Sequence, residues 1–230
     1  MMRKPVVIVE GLIGIGKSTL TEELGAALGP NCLTLLEPDE RDNANPYLAS
    51  FYADMPRWGT TMQLHLLGLR YRMQLRAQHH ANSGAGPALL DRSFYGDVCF
   101  ARLGYKDGWM NEAEFSTYEM LYQEMSEHVL FPSICLHLLG DPTIVAQRIN
   151  KRLSEREGRK SEAGIPLQYL EDLAVEIDRM VNILGDHGTR VYTVMWDTER
   201  DTPEHRAQTI QSLVRKIEAY KPPDLHRRVI

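Results

Sequence analysis

Gly11-Leu12-Ile13-Gly14-Ile15-Gly16-Lys17-Ser18-Thr19 matches GxxxxGK[ST] and stands directly after the apolar run Val6–Glu10 and directly before a helical pattern that begins at Lys17. A strand, a glycine-rich turn and a helix in that order form a P-loop. Gly11, Gly14 and Gly16 let the backbone turn tightly, so that successive N–H groups face phosphate oxygens, and the helix N-terminus adds its positive end. Lys17 supplies a point charge to the terminal phosphates, and the Ser18 hydroxyl, next to Thr19, is placed to ligate Mg²⁺. The alternative is a glycine-rich turn that binds nothing, but a chance match with the right flanks on both sides is rare. ATP or a similar nucleoside triphosphate is the expected ligand.

Outward from this loop, short apolar runs alternate with longer helical patterns, the signature of a parallel sheet wrapped by helices. Strands are expected at Val6–Glu10, Cys32–Leu36, Ala88–Asp91, Ile134–Leu139 and Val191–Trp196. Helices are expected at Lys17–Leu28, Trp58–Ala81, Asp97–Leu103, Glu112–Val129, Thr143–Ser154, Leu167–Leu184 and Pro203–Tyr220. The fold class is α/β, a doubly wound five-stranded parallel sheet of P-loop NTPase type, with ligands at the carboxyl ends of the strands. One domain spans residues 1–230, with a loop at Asn82–Pro87 and a frayed tail from about residue 221.

The 230 residues are 43% hydrophobic and 25% charged, the proportions of an ordinary globular protein. A net charge of −5 argues against a nucleic-acid coat and against a membrane-surface role. No segment approaches the roughly 20 apolar residues of a membrane span. Cys32, Cys99 and Cys135 lack CxxC spacing and lie in apolar runs, so they read as small buried hydrophobes in a reducing cytoplasm. The negative total conceals one concentrated patch: Arg148 to Lys160 holds six basic and two acidic side chains, suited to a small polyanion such as ATP.

Three further clusters bear on what receives the phosphate. The second strand ends in Glu37-Pro38, a carboxylate at the sheet's carboxyl edge that is placed to take a proton from an attacking hydroxyl, or else a solvated charge. The third ends in Asp91-Arg92-Ser93, an acid suited to Mg²⁺ and a guanidinium suited to phosphate, or else a plain salt bridge. On the helix from Trp58, the stripe Trp58, Met62, Leu66, Leu69 and Met73 reads as core. Gln63 and Arg70, seven residues apart, share a second face. A nucleobase on that face would account for them as well as solvent exposure does, because an amide offers one donor and one acceptor edge.

These residues resemble the deoxynucleoside kinase family, P-loop enzymes that move the γ-phosphate of ATP to the 5′-hydroxyl of a deoxynucleoside. The resemblance is ordered along most of the chain: Gly11–Thr19, Glu37-Pro38, Asn45-Pro46 with Phe51-Tyr52, Arg57-Trp58 before Gln63, Asp91-Arg92-Ser93 with Tyr95 and Asp97, and Gly164-Ile165-Pro166-Leu167 with Tyr169-Leu170. It implies Glu37 as general base, Arg92 as the cation on the acceptor oxygen and incoming phosphoryl group, and Asp91 near Mg²⁺. It further implies Tyr52 and Glu162 on the 3′-hydroxyl, Gln63 on the base edge and Phe100, across a one-residue gap, stacked on the base.

Relatives close a short arginine-rich lid over the phosphates, whereas the basic residues here are spread over a longer stretch, about 148–162, with Arg148, Arg152 and Arg159 as the expected phosphate ligands. Arg70 and Asp97 look like the pair of members that accept deoxycytidine or purine deoxynucleosides, and thymine's methyl would press against their charge. The resemblance also implies a homodimer. A thymidylate-type monophosphate kinase shares the loop and the Asp-Arg strand end, but needs further cations for an acceptor phosphate. A non-catalytic kinase-like subunit would show a degraded site, whereas Lys17, Ser18, Glu37, Asp91 and Arg92 are all present.

Overall fold

The structure, a computed structural model, describes residues 4–37, 45–155, 165–196 and 202–222. Its elements are β1 (Val6–Glu10), α1 (Lys17–Leu28), β2 (Leu33–Leu35), α2 (Leu48–Ala53), α3 (Met55–Ser83), β3 (Ala88–Asp91), α4 (Phe94–Lys106), α5 (Glu112–Ser126), β4 (Ile134–Leu139), α6 (Pro142–Glu155), α7 (Leu167–Asp186), β5 (Arg190–Met195) and α8 (Pro203–Glu218). The strands form one sheet in the order β2-β3-β1-β4-β5, and every neighbouring pair is parallel. The expected doubly wound α/β fold is present.

The apolar content of each strand follows its place in the sheet. Central β1 reads Val-Val-Ile-Val-Glu and is buried throughout, as a parallel strand covered on both faces requires. Edge strands β2 and β5 are partly exposed. From β1 the chain passes to β2 and β3 on one side, then to β4 and β5 on the other. Its connections therefore diverge at the carboxyl end of β1, the place where doubly wound sheets bind their ligands. On α7 the buried residues Leu170, Leu173, Ile177, Met180, Val181 and Leu184 recur at helical spacing. Cys99 and Cys135 are buried and Cys32 half-buried, and all three are free thiols.

Several boundaries differ from the sequence expectation. β2 is shorter than Cys32–Leu36, and β5 starts one residue earlier than Val191. Helix α2 had no expected counterpart. Helix α3 begins at Met55 because the Asp54 side chain accepts the Arg57 N–H at 3.1 Å and Pro56 suits the first turn. It runs through Ser83, which shortens the loop expected at Asn82–Pro87. Its burial also corrects the reading of its faces. Of the expected core stripe only Leu66 and Met73 are buried, with Trp58, Met62 and Leu69 half-buried, whereas Gln63 and Arg70 are 2% and 4% exposed. The polar pair sits on the inner face because α4, which α3 packs against, presents a carboxylate there.

Candidate active site

At the end of β1 the backbone turns through Gly11, Gly14 and Gly16 with φ of 152°, 80° and 102°, conformations that favour glycine. A Cβ on Gly14 would lie 2.9 Å from Ile149 Cγ1, so glycine is also what lets α6 rest on the loop. Lys17 is buried at the start of α1, and its Nζ donates to the Leu12 carbonyl at 2.7 Å. Burial, followed by the nearby Arg92 guanidinium, pushes the Lys17 ammonium down to about 7. Thr19 follows in the first turn of α1, half-buried.

Ser18 Oγ donates to Asp91 Oδ2 at 2.5 Å. Asp91 ends β3, 2% exposed, and its second oxygen, Oδ1, has no hydrogen-bond partner. Burial pushes this carboxyl up against the pull of Lys17. An unpartnered buried carboxylate oxygen beside a hydroxyl fits Mg²⁺, which takes one or two protein oxygens and fills its shell with water and phosphate. Among the described residues no group of three or more His, Cys, Asp or Glu forms a protein cage for a metal.

The loop after β2 and the turn after β3 bring Glu37 and Arg92 together: Arg92 Nε donates to Glu37 Oε2 at 3.0 Å. The Arg70 guanidinium reaches in from α3 and bridges two carboxylates, Nη2 to Glu37 Oε1 and Nη1 to Asp97 Oδ1. Burial alone would raise the Glu37 carboxyl, but Arg70 and Arg92 outweigh it and hold it at about 2. Asp97, fully buried in the first turn of α4, also accepts from Gln63 Nε2 at 2.8 Å and from Tyr118 Oη at 2.6 Å. The donor edge of Gln63 is thus engaged by Asp97. Phe100, one turn further along α4, lies under both guanidiniums, 4.7 Å from Arg92 and 5.3 Å from Arg70.

Arg92 has a φ of 64°, the one positive value at a non-glycine residue among those described. The turn is tied to the end of β1: Arg92 N donates to Val9 O at 3.1 Å, and Glu10 Oε1 accepts from Ser93 N at 2.9 Å and Ser93 Oγ at 2.6 Å. Glu10 is wholly buried, which pushes its carboxyl up even though Arg92 opposes this.

The structure therefore gathers Lys17, Ser18, Glu37, Gln63, Arg70, Asp91, Arg92, Asp97 and Phe100 at one edge of the sheet. Tyr52 stands on α2 with its ring edge-on to Phe51 at 5.2 Å. Arg148 is buried on α6, the helix that covers Gly14. The side chain of Arg152, all of Arg159 and Glu162, the lid stretch from 156 onward and the tail from 223 lie outside the described residues. Two groups escaped the sequence reading, Glu10 and Tyr118. Glu10 carried a signal, a lone carboxylate ending an all-apolar strand, but Tyr118 carried none.

Comparison with known proteins supplies a further finding. The profile described as Deoxynucleoside kinase matches residues 7–219. A deoxyguanosine kinase of Dictyostelium discoideum is 31% identical over 196 residues, which cover 85% of this chain and 65% of that one. A deoxyadenosine kinase of the same organism is 30% identical over 206 residues, 90% of this chain and 78% of that one. A deoxyadenosine/deoxycytidine kinase of Bacillus subtilis is 31% identical over 183 residues, 78% of each chain. In fold, the chain is similar to a deoxyadenosine kinase from M. mycoides solved with dCMP and dCDP, with a TM-score of 0.72, 22% identity, and coverage of 93% of this chain and 99% of that one.

Proposed function

The chain belongs to the deoxynucleoside kinase family, and on that premise we propose that it moves the γ-phosphate of ATP to the 5′-hydroxyl of a deoxynucleoside in nucleotide salvage, favouring deoxyadenosine, deoxyguanosine or deoxycytidine over thymidine. What carries the proposal is the Arg70 bridge, which joins the carboxylate at the sheet edge, Glu37, to the carboxylate on the Gln63 face, Asp97. It links the carboxylate suited to phosphate transfer with the polar side chains suited to a base.

Phosphoryl transfer asks mainly for alignment and charge neutralisation. The P-loop N–H groups and Lys17 hold the triphosphate, with Arg148, Arg152 and Arg159 as further cations. Ser18 and Asp91 would hold Mg²⁺, which would supply charge neutralisation at the phosphates. Glu37, ionised at neutral pH, orients the 5′-hydroxyl and takes its proton, while Arg92, whose Nη1 has no partner, steadies the acceptor oxygen. Tyr52 and Glu162 hold the 3′-hydroxyl, and Phe100 stacks on the base. Arg70 and Asp97 offer donor and acceptor atoms to exocyclic amino and carbonyl groups, beside which a thymine methyl would be poorly placed.

A panel of four deoxynucleosides and their 5′-monophosphates with ATP and Mg²⁺ is the test. Turnover of a purine deoxynucleoside or deoxycytidine well above thymidine is expected. A preference for monophosphates would instead support a thymidylate-type kinase, and no turnover at all a non-catalytic subunit. A homodimer in the cytoplasm belongs to the same proposal, supported by the resemblance and checked by sedimentation. Among the described residues no helix is long and apolar enough to cross a membrane.

A further inference from the structure

Glu10 is out of character for its place. It ends a strand whose other four members are apolar, its exposure is zero, and burying a carboxyl costs more than burying the valine that its neighbours exemplify. One of its oxygens receives both donors of Ser93. The other has no hydrogen-bond partner and lies against Gly96, where a Cβ would stand 2.8 Å from each oxygen. Only glycine in the first turn of α4 leaves room for this carboxyl. Ser93 Oγ relays the contact by accepting the Gly96 N–H at 3.2 Å, which caps α4.

What this clamp holds is Arg92, the residue just before Ser93. A left-handed conformation is strained for a non-glycine residue and persists where the surroundings over-determine it. Here they do so from one place, because Val9 O takes the Arg92 N–H and Glu10 takes both donors of Ser93. The residue after Glu10 is Gly11, the first of the P-loop. One strand end thus grips the triphosphate loop and the Asp91-Arg92-Ser93 turn together. On the reading of Arg92 as the acceptor-side cation, we infer that Glu10 is a positioning residue: through Ser93 it holds the Arg92 guanidinium in register with the P-loop, and so aligns acceptor with donor.

Steady-state kinetics of E10A, E10Q, R92A and the double variant E10A/R92A test this, with kcat and both KM values read for ATP and deoxyadenosine. E10A is expected to lose about 10- to 100-fold in kcat, the scale of a misplacement near 1 Å, with KM for ATP within about twofold. E10Q, whose amide oxygen accepts the same two donors, recovers to within about threefold of wild type. E10A/R92A is no slower than R92A beyond about twofold, because residues acting as one unit do not add. An unchanged kcat in R92A refutes the role given to Arg92, and this inference with it. A slow R92A combined with a normal E10A, or an undiminished E10A loss in the R92A background, overturns the positioning role alone. Should E10A fail to fold, S93A keeps the test: a kcat loss of about fivefold or more supports the clamp, and a wild-type kcat overturns it.

Discussion

Replacing Glu37 with glutamine separates the two tasks that the site gives one carboxylate, and the size of each effect follows from its surroundings. In catalysis, the amide of E37Q still accepts a hydrogen bond but takes no proton, so kcat should fall by about 10²-fold or more while KM for the deoxynucleoside changes little. In stability, the folded carboxyl titrates near 2 rather than at its ordinary 4.5, because Arg70 and Arg92 favour the ionised form. A depressed carboxylate contributes stability that is present above its unfolded pKa and lost as pH falls through the window from 4.5 to 2. The full contribution is about 3 kcal/mol, and linkage makes about 1.4 kcal/mol of it disappear by about pH 3.5. With the Glu37 side chain 27% exposed, water and salt screen part of this, and about 1 kcal/mol is the expected difference. Urea unfolding of wild type and E37Q at about pH 7 and about pH 3.5 reads it directly: the wild type should lose about 1 kcal/mol more than the variant on acidification. Equal losses would refute the paired-carboxylate account, and a wild-type kcat in E37Q would refute the general base.

Three other outcomes follow from neighbouring contacts. Lys17 titrates near 7, below its ordinary 10.5, so between those values the unfolded chain holds a proton that the folded chain has lost, and this residue makes stability rise with pH. ATP needs the charged form, so its affinity measured by calorimetry should weaken up to about tenfold per pH unit above about 7, with proton uptake on binding; a flat profile from about pH 7 to about pH 9 contradicts the buried ammonium. Tyr118→Phe removes one donor from Asp97 Oδ2, and a hydrogen bond to a buried charge is worth about 1.5–3 kcal/mol, so kcat/KM for deoxyadenosine should drop about tenfold or more while KM for ATP holds. An unaltered kcat/KM would show that Gln63 and Arg70 orient Asp97 alone. Asp91→Asn should raise the Mg²⁺ concentration for half-maximal rate by about tenfold or more, and no change would remove Asp91 from the metal's shell.

The parts of this molecule that were legible in its sequence are those fixed by short-range chemistry. The P-loop shows because its glycines, lysine and hydroxyl are set by adjacent backbone geometry, and β1, β3 and β4 fall where apolar runs place them because a strand buried on both faces admits little else. Edge strands β2 and β5 are held by one neighbour each, so their ends follow the register of that neighbour rather than their own hydrophobicity. Helix α2 has six residues and no side-chain cap, too little periodicity to register. At α4 a signal was present and passed over: Ser93 caps the helix, which starts at Phe94 and not at Asp97.

The polar face of α3 was hard to read for a different reason. Periodicity assigns burial by apolarity, so Gln63 and Arg70 looked solvated or ligand-bound, while their partner Asp97 lies 34 and 27 residues away on another helix. A buried charge is stable only beside its complement, and sequence spacing within one helix carries no trace of a complement on the next. Glu10 shows the same principle from the other side. Its partner Ser93 is 83 residues off, yet the oddity was visible locally, since a carboxylate closing a fully apolar central strand must be satisfied by something that the fold brings to it. An out-of-place polar residue in an apolar run therefore marks a long-range tie even when its partner is hidden, and the ties at Asp97 and at Glu10 lead to the guanidiniums around Glu37.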